Sequence, residues 1–252
     1  MTNAYLLISH GSRDPRPQVA AEELARKVAQ SLTTVGQNSP MTPAVPMVET
    51  AALEFAPLEL YDAIAQFASK AKAKGLTNVQ IVPLFLHKGV HVLEDVPAEV
   101  NRARSILGDA IALQLCPYLG SSPDILALLA AQFERLPGRD RILLAHGTRR
   151  EGGNQPVEAI ARQLQAHPAY WSVTPSLAQS VAAATERGAT EIAIVPYFLF
   201  AGGITEAIAR QVEDLQTQYH STLLHLGQPL GPTPKLAQLV AKSLNGMRKG
   251  DS

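Results

Sequence analysis

Apolar and polar positions follow two rhythms along the chain. Short runs rich in aliphatic and β-branched residues, at 4–9, 45–49, 79–84 and 110–115, read as strands. Between them, at 17–32, 57–74, 95–106 and 123–135, apolar residues recur every three or four positions and read as helices. Strands that alternate with helices of this length predict βαβ units and a parallel sheet. The rhythm then restarts, with strands at 141–145, 169–173, 191–196 and 221–226.

The restart is also a repeat of residues. Tyr5-Leu6-Leu7-Ile8-Ser9-His10-Gly11-Ser12-Arg13 is echoed by Ile142-Leu143-Leu144-Ala145-His146-Gly147-Thr148-Arg149, with His146 standing 136 positions after His10. Gln80-Ile81-Val82-Pro83-Leu84-Phe85-Leu86 is echoed 113 positions on by Ala193-Ile194-Val195-Pro196-Tyr197-Phe198-Leu199. Leu119-Gly120, with Pro123, is echoed 111 positions on by Leu230-Gly231, with Pro234. Three matches in one order indicate an internal duplication. The fall in offset places about 23 additional residues in the first copy, much of them near Thr33 to Pro46. With Gly36, Asn38, Pro40 and Pro43, that stretch reads as a surface loop. Leu136-Pro137-Gly138-Arg139 marks the boundary, so the expected architecture is α/β with two similar parallel-sheet domains, 1–137 and 138–252.

Composition narrows the function classes. At 252 residues and 46% apolar content the chain can bury a sizeable core. Its 22 basic and 22 acidic residues balance, and clusters such as Arg149-Arg150 are short, so the basic stripe that grips nucleic acid is missing. Met1-Thr2-Asn3-Ala4-Tyr5 lacks a basic-then-apolar leader and no eighteen apolar residues run together, which points to a soluble cytoplasmic protein with no membrane partner. A single cysteine, Cys116, excludes an internal disulfide and a four-cysteine zinc or iron–sulfur site within one chain, and reads as a small buried hydrophobe.

The seven histidines differ in promise. His220 and His225 fall at the start and in the body of a late strand, and His167 precedes Pro168 at a helix end, where a structural or solvated role is the default. His10 and His91 lie at strand carboxyl ends beside Gly11 and near Gly89, where the backbone admits a ligand closely. In open parallel sheets ligands bind in the crevice beyond those ends, so two loops distant in sequence can meet there. The residues alone leave alternatives. His10 could cap the following helix, and His10-Gly11-Ser12-Arg13 could read an anion through backbone amides and Arg13. The second alternative makes a histidine phosphatase the rival, although Ser9 and Ala145 stand where the Arg-His-Gly phrase of those enzymes has its phosphate-binding arginine.

Leu7-Ile8-Ser9-His10-Gly11-Ser12-Arg13, Val82-Pro83-Leu84-Phe85-Leu86 and Gly89-Val90-His91-Val92-Leu93-Glu94-Asp95-Val96-Pro97 together resemble the sirohydrochlorin chelatases, the small class II tetrapyrrole chelatases, over nearly the whole chain. The resemblance implies that the phrase after the first strand and the Gly-x-His-x-x-x-Asp phrase after the third supply two metal-binding histidines, here His10 and His91. It also implies a glutamate in a Leu-Glu phrase after the second strand, which Leu53-Glu54-Phe55-Ala56 matches, so Glu54 joins the pair as a catalytic candidate. Read by itself, Glu54 is an exposed first-turn carboxylate favoured by the helix dipole, and Glu49 and Glu59 compete for the role.

The implied activity is lyase-type: insertion of Fe²⁺ or Co²⁺, with Ni²⁺ a third candidate, into sirohydrochlorin for sirohaem or cobalamin synthesis. The metal is then a substrate, and no tightly bound cofactor is expected. Transfer needs an ion held by few ligands with positions left open for pyrrole nitrogens, which two neutral imidazoles allow. Two pyrrole protons must also leave, a task for histidine or for Glu54. Affinity trends overlap among these metals, so the ligands do not name one; the lack of the histidine-rich stretch that some cobalt-handling relatives carry favours iron.

Sirohydrochlorin is rich in carboxylates, so cations are expected at the rim, with Arg13, Arg16, Lys88, Arg149 and Arg150 the candidates by proximity and solvated surface charge the competing reading. In the second copy His146 matches His10, but Ile204 stands at the place of His91, Phe200 at that of His87, and Leu177-Ala178 roughly at that of Leu53-Glu54. The second half is therefore expected to lack independent metal insertion and to wall the site of the first, as a partner subunit would, with His146 either facing the substrate or kept for the turn. Duplication within one chain suggests a monomer. A non-catalytic tetrapyrrole or metal carrier is the alternative from another class.

Overall fold

The computed structural model describes residues 3–35 and 46–247. The chain divides by packing into two units, Met1–Ser122 with Pro232–Ser252, and Pro123–Gly231.

The first unit contains β1 (Asn3–Ser9), α1 (Arg16–Val35), β2 (Val48–Ala52), α2 (Leu60–Ala73), β3 (Asn78–Pro83), α3 (Val96–Leu107) and β4 (Ala112–Leu115). Its four strands are parallel in the order β2-β1-β3-β4. Ala4 to Ile8 are all buried, as expected of a central strand covered on both faces, which is why this run is continuously apolar rather than alternating. Ala4, Leu6 and Ile8 pack with Leu60, Ile64 and Phe67 of α2 and Val96, Val100 and Ala103 of α3. Successive strand residues face opposite ways, so Tyr5 and Leu7 serve the other face.

The second unit repeats the plan. After α4 (Asp124–Phe133) come β5 (Asp140–Ala145), α5 (Gln155–Gln163), β6 (His167–Tyr170), α6 (Leu177–Glu186), β7 (Glu191–Pro196), α7 (Gly203–Gln218) and β8 (Leu223–Leu226), with parallel strand order β6-β5-β7-β8. Ile142, Leu144, Ile192 and Ile194 meet Leu177 and Val181 of α6 and Ile208 and Val212 of α7 in its core. The final helix, α8 (Pro234–Met247), belongs by packing to the first unit, where it lies against α1, and α4 belongs to the second, where it lies against β7. The sequence repeat ends near Pro137, whereas packing changes hands at Ser122 and again at Gly231.

Several elements depart from their sequence-based limits. β2 begins at Val48, and α2 at Leu60, three residues later than the periodicity predicts, after an irregular stretch, 53–59, that contains Pro57. β6 occupies 167–170 instead of 169–173, so His167 opens a strand and does not end a helix. Pro168 fits there because β6 is an edge strand, where the missing N–H faces no partner. His220 lies in the turn before β8, and only His225 is in the strand. Thr33 continues α1, and residues 36–45 of the expected loop lie outside the described residues. Cys116 is buried, and desolvation pushes its thiol up to about 12. Among the described residues no helix is long and apolar enough to cross a membrane.

Candidate functional site

His10, Glu54 and His91 come together at the carboxyl end of the first sheet. One ligand atom from each lies within 4.8 Å of the other two. The β1–β2 ladder explains half of this convergence. Its register pairs Ser9 with Ala52, and the ladder continues past both strands: Leu53 N–H donates to the Ser9 carbonyl and Glu54 N–H to the His10 carbonyl, each at 2.9 Å. Glu54 is thereby tied to the backbone of His10. The turn that follows demands glycine, because Gly11 has a φ of +89° and a Cβ there would stand 1.9 Å from the Glu54 carbonyl oxygen.

His91 arrives from the other side of β1. Leu84 N–H donates to the Ile8 carbonyl at 2.7 Å, extending the β1–β3 pairing, and the chain then runs through an irregular loop into a π-helical turn, His91–Asp95, that leads into α3. A wide turn of this kind changes the direction in which its first side chain points, and such turns concentrate at functional sites. The His10 and His91 rings meet edge to face with centroids 4.6 Å apart, and the half-buried Phe85 lies 6.5 Å from the first and 6.0 Å from the second. Phe85 also packs against the core beneath, so it braces both imidazoles.

Hydrogen bonding assigns the ring nitrogens. His91 Nδ1 is 2.7 Å from Asp95 Oδ2, and His10 Nδ1 is 3.3 Å from the Gly11 carbonyl oxygen. A carboxylate and a carbonyl only accept, so the short Asp95 contact puts the His91 proton on Nδ1 and leaves its Nε2 lone pair free, and the longer Gly11 contact favours the same tautomer in His10. The two Nε2 atoms then face one another at 3.2 Å. Two lone pairs at that separation repel unless a cation or a proton stands between them. An ion bound to both at about 2.1 Å would subtend an angle of about 100°, between the octahedral and tetrahedral values. Glu54 adds a negative charge, and His10 and Glu54 are both exposed, so the group is open on one side.

Sequence reasoning passed over Asp95, although it stands inside the quoted Gly-x-His-x-x-x-Asp phrase; its spacing of four from His91 was the available signal. The remaining sequence-derived candidates are more scattered. Arg13 lies with its guanidinium carbon 5.4 Å from the Phe55 ring centre, and Lys88 is exposed on the loop before His91. Arg16 pairs with Asp14, its Nε 2.9 Å from Oδ1. Glu49 lies 3.3 Å from Lys70, and Glu59 is the residue just before α2; neither joins the histidines.

The second unit has the same turn without the same ligands. His146 follows β5, with Nδ1 3.0 Å from the Gly147 carbonyl, and Gly147 has a φ of +79°. Trp171 N–H donates to the Ala145 carbonyl and Ser172 N–H to the His146 carbonyl, each at 2.9 Å. Trp171-Ser172 therefore occupies the place of Leu53-Glu54, correcting the expectation that Leu177-Ala178 would; those two residues open α6. Ser172 Oγ turns back to donate to the His146 carbonyl at 2.9 Å. Ile204, at the His91 position, lies in the first turn of α7, and Arg149 and Arg150 are exposed in the loop after β5. Among the described residues, His10, Glu54 and His91 form the one cluster of three or more histidine, cysteine or carboxylate side chains close enough to share a metal ion.

Residues 4–136 and 141–246 match the CbiX family model. A sirohydrochlorin cobaltochelatase from Priestia megaterium is 24% identical over 253 residues, covering 94% of this chain and 77% of the relative. A sirohydrochlorin ferrochelatase from the same organism is 22% identical over 248 residues, covering 89% and 87%. Among solved structures, SirB from Bacillus subtilis with Fe³⁺ superposes with a TM-score of 0.75 at 22% identity, covering 99% of this chain and 96% of that one. The sirohydrochlorin chelatase SirB from Bacillus subtilis subspecies spizizenii, in complex with cobalt, gives 0.74 at 20% identity, covering 100% and 97%.

Proposed function

The chain belongs to the CbiX family, and on that premise we propose that it inserts a divalent metal ion into sirohydrochlorin, with His10, Glu54 and His91 holding the ion before transfer. The observation that carries this reading is the pair of Nε2 atoms 3.2 Å apart beside the Glu54 carboxylate. Three protein ligands on one side leave the other side of the ion to pyrrole nitrogens, as transfer requires and as a closed cage would prevent.

Protons and metal move in opposite directions. As bonds from the ion to Nε2 of His10 and His91 give way to bonds with pyrrole nitrogens, two pyrrole N–H protons leave, and the vacated Nε2 lone pairs and the Glu54 carboxylate are the groups placed to accept them. The Asp95 carboxylate keeps the His91 proton on Nδ1, so Nε2 stays available to the ion. A phosphoryl group would meet the Glu54 charge beside His10, which disfavours the phosphatase rival. Arg13 and Lys88, on the two loops that carry the histidines, suit the carboxylates of the macrocycle.

Imidazole and carboxylate ligands accept Fe²⁺ and Co²⁺ alike, so the metal is decided by assay. Purified protein is incubated with sirohydrochlorin and Fe²⁺, Co²⁺ or Ni²⁺, and insertion is followed by the change in the tetrapyrrole absorption spectrum. At least one metal should be inserted faster than in the uncatalysed control, and His91→Ala should abolish the gain. Failure with all three metals refutes the reading, and binding of the ring with no acceleration leaves a carrier in its place. His146→Ala and Arg149→Ala enter the same assay.

A further inference from the structure

The residue after Glu54 is hard to explain by folding alone. Phe55 has a φ of +58°, a left-handed conformation that is rare for a bulky L residue and that glycine or asparagine would adopt more readily. Burial does not compensate, since Phe55 is 56% exposed. Its counterpart in the second unit, Val173, follows Ser172 without a positive φ and is half-buried. Strain retained where packing gives little back points to a function at that position.

Its surroundings say what kind. Phe55 adjoins Glu54, and the Arg13 guanidinium carbon lies 5.4 Å from its ring centre. Leu58, Val90 and Leu93, each at least 42% exposed, stand within four residues of Glu54 or His91. The loops that carry the ligands thus present apolar side chains to solvent, with a cation over the one aromatic ring among them. A flat, conjugated macrocycle edged with carboxylates has the complementary surface, an apolar face for the ring and anionic arms for the guanidinium.

We propose that Phe55 is a substrate-positioning residue: its ring takes the face of the tetrapyrrole beside the bound ion, while Arg13, held over the same ring, pairs with a peripheral carboxylate. The proposal rests on the chelatase reading of the His10–Glu54–His91 group. The left-handed turn at Phe55 then does two things with one residue, ending the ladder that fixes Glu54 against His10 and turning an aromatic ring outward beside it.

The test measures the binding of metal-free sirohydrochlorin by absorbance titration, and separately that of Co²⁺ in the absence of tetrapyrrole, for the wild type, Phe55→Ala, Phe55→Gly and Phe55→Tyr. Phe55→Ala should weaken tetrapyrrole binding about tenfold or more, the range of aromatic stacking on a conjugated ring, and leave Co²⁺ affinity within about twofold. Phe55→Gly adopts the left-handed turn without strain, so it should unfold no earlier than Phe55→Ala in urea yet bind the ring as weakly. Phe55→Tyr should restore binding to within about threefold of the wild type. Wild-type affinity for sirohydrochlorin in both Phe55→Ala and Phe55→Gly would overturn the proposal while leaving the chelatase reading intact. A wild-type protein that binds Co²⁺ but no sirohydrochlorin would instead overturn the chelatase reading, and this proposal with it.

Discussion

Replacing Gly11 with alanine tests the link between fold and site most directly. The new Cβ would stand 1.9 Å from the Glu54 carbonyl oxygen, 2.9 Å from its carbon and 3.2 Å from the Ala52 Cβ. Restoring van der Waals separation requires a shift of about 1.5 Å, and the obstacle is backbone, which cannot swing aside as a side chain can. A φ of +89° adds about 1–2 kcal/mol for any L residue. A destabilisation of roughly 2–4 kcal/mol is expected from the two together. The same shift breaks the 2.9 Å bond from Glu54 N–H to the His10 carbonyl and carries the carboxylate away from the two Nε2 atoms. Misplacement of about 1 Å at a reacting centre costs on the order of 100-fold. Gly147→Ala is the control, because its Cβ would meet side-chain atoms of Tyr170 and Val173 at 2.8 Å, in a unit whose turn has Ser172 in place of a carboxylate ligand. Urea unfolding followed by circular dichroism should show both variants weakened. Titration with Co²⁺, read in its visible absorption bands, should show lost affinity in Gly11→Ala alone, and metal insertion should fall with it. Wild-type Co²⁺ affinity in a Gly11→Ala protein that unfolds early would refute the claim that this turn places Glu54.

Asp95→Ala should weaken Co²⁺ binding about 10- to 100-fold by freeing the His91 ring, with Asp95→Asn intermediate; an unchanged dissociation constant would show that the 2.7 Å contact is incidental. Calorimetric titration should find one Co²⁺ per wild-type chain, none with His91→Ala and still one with His146→Ala; a second equivalent lost with His146→Ala would mean that the second unit holds metal. Cys116 is expected to resist a thiol reagent in native protein at pH 8 and to react fully once unfolded. Because its folded pKa is raised to about 12 from 9.0, the unfolded chain releases this proton first. Stability should therefore fall as pH rises above about 9, by up to about 1.4 kcal/mol per pH unit from this thiol, and Cys116→Ala should remove that contribution, most clearly below pH 10.0, above which Tyr61, Tyr118 and Tyr170, whose pKa values are also raised, add their own.

Much of the molecule was legible without coordinates because the signals involved are local. A continuous apolar run such as Tyr5 to Ile8 marks a strand covered on both faces, and the repeated phrases around His10 and His146 mark two copies of one unit. Asp95 was less visible. A separation of four joins side chains on any helical turn, and nothing in the sequence announces that this turn is a π-helical one with His91 at its head.

What the sequence by itself determined is the architecture of two parallel α/β units and the placing of His10 and His91 beyond strand ends, because burial periodicity and loop position are written residue by residue. What only the tertiary structure decided is which residues stand across from one another. The ladder running past β1 and β2 ties the Glu54 N–H to the His10 carbonyl, and the corresponding ladder ties Ser172, six residues before the expected Ala178, to that of His146. The bounds 1–137 and 138–252 read from the repeat put α4 with the first copy and α8 with the second, whereas packing groups α4 with the second unit and α8 with the first. Register and docking depend on contacts between segments far apart in the chain, and a pattern of apolar residues is the same in every register that keeps its parity.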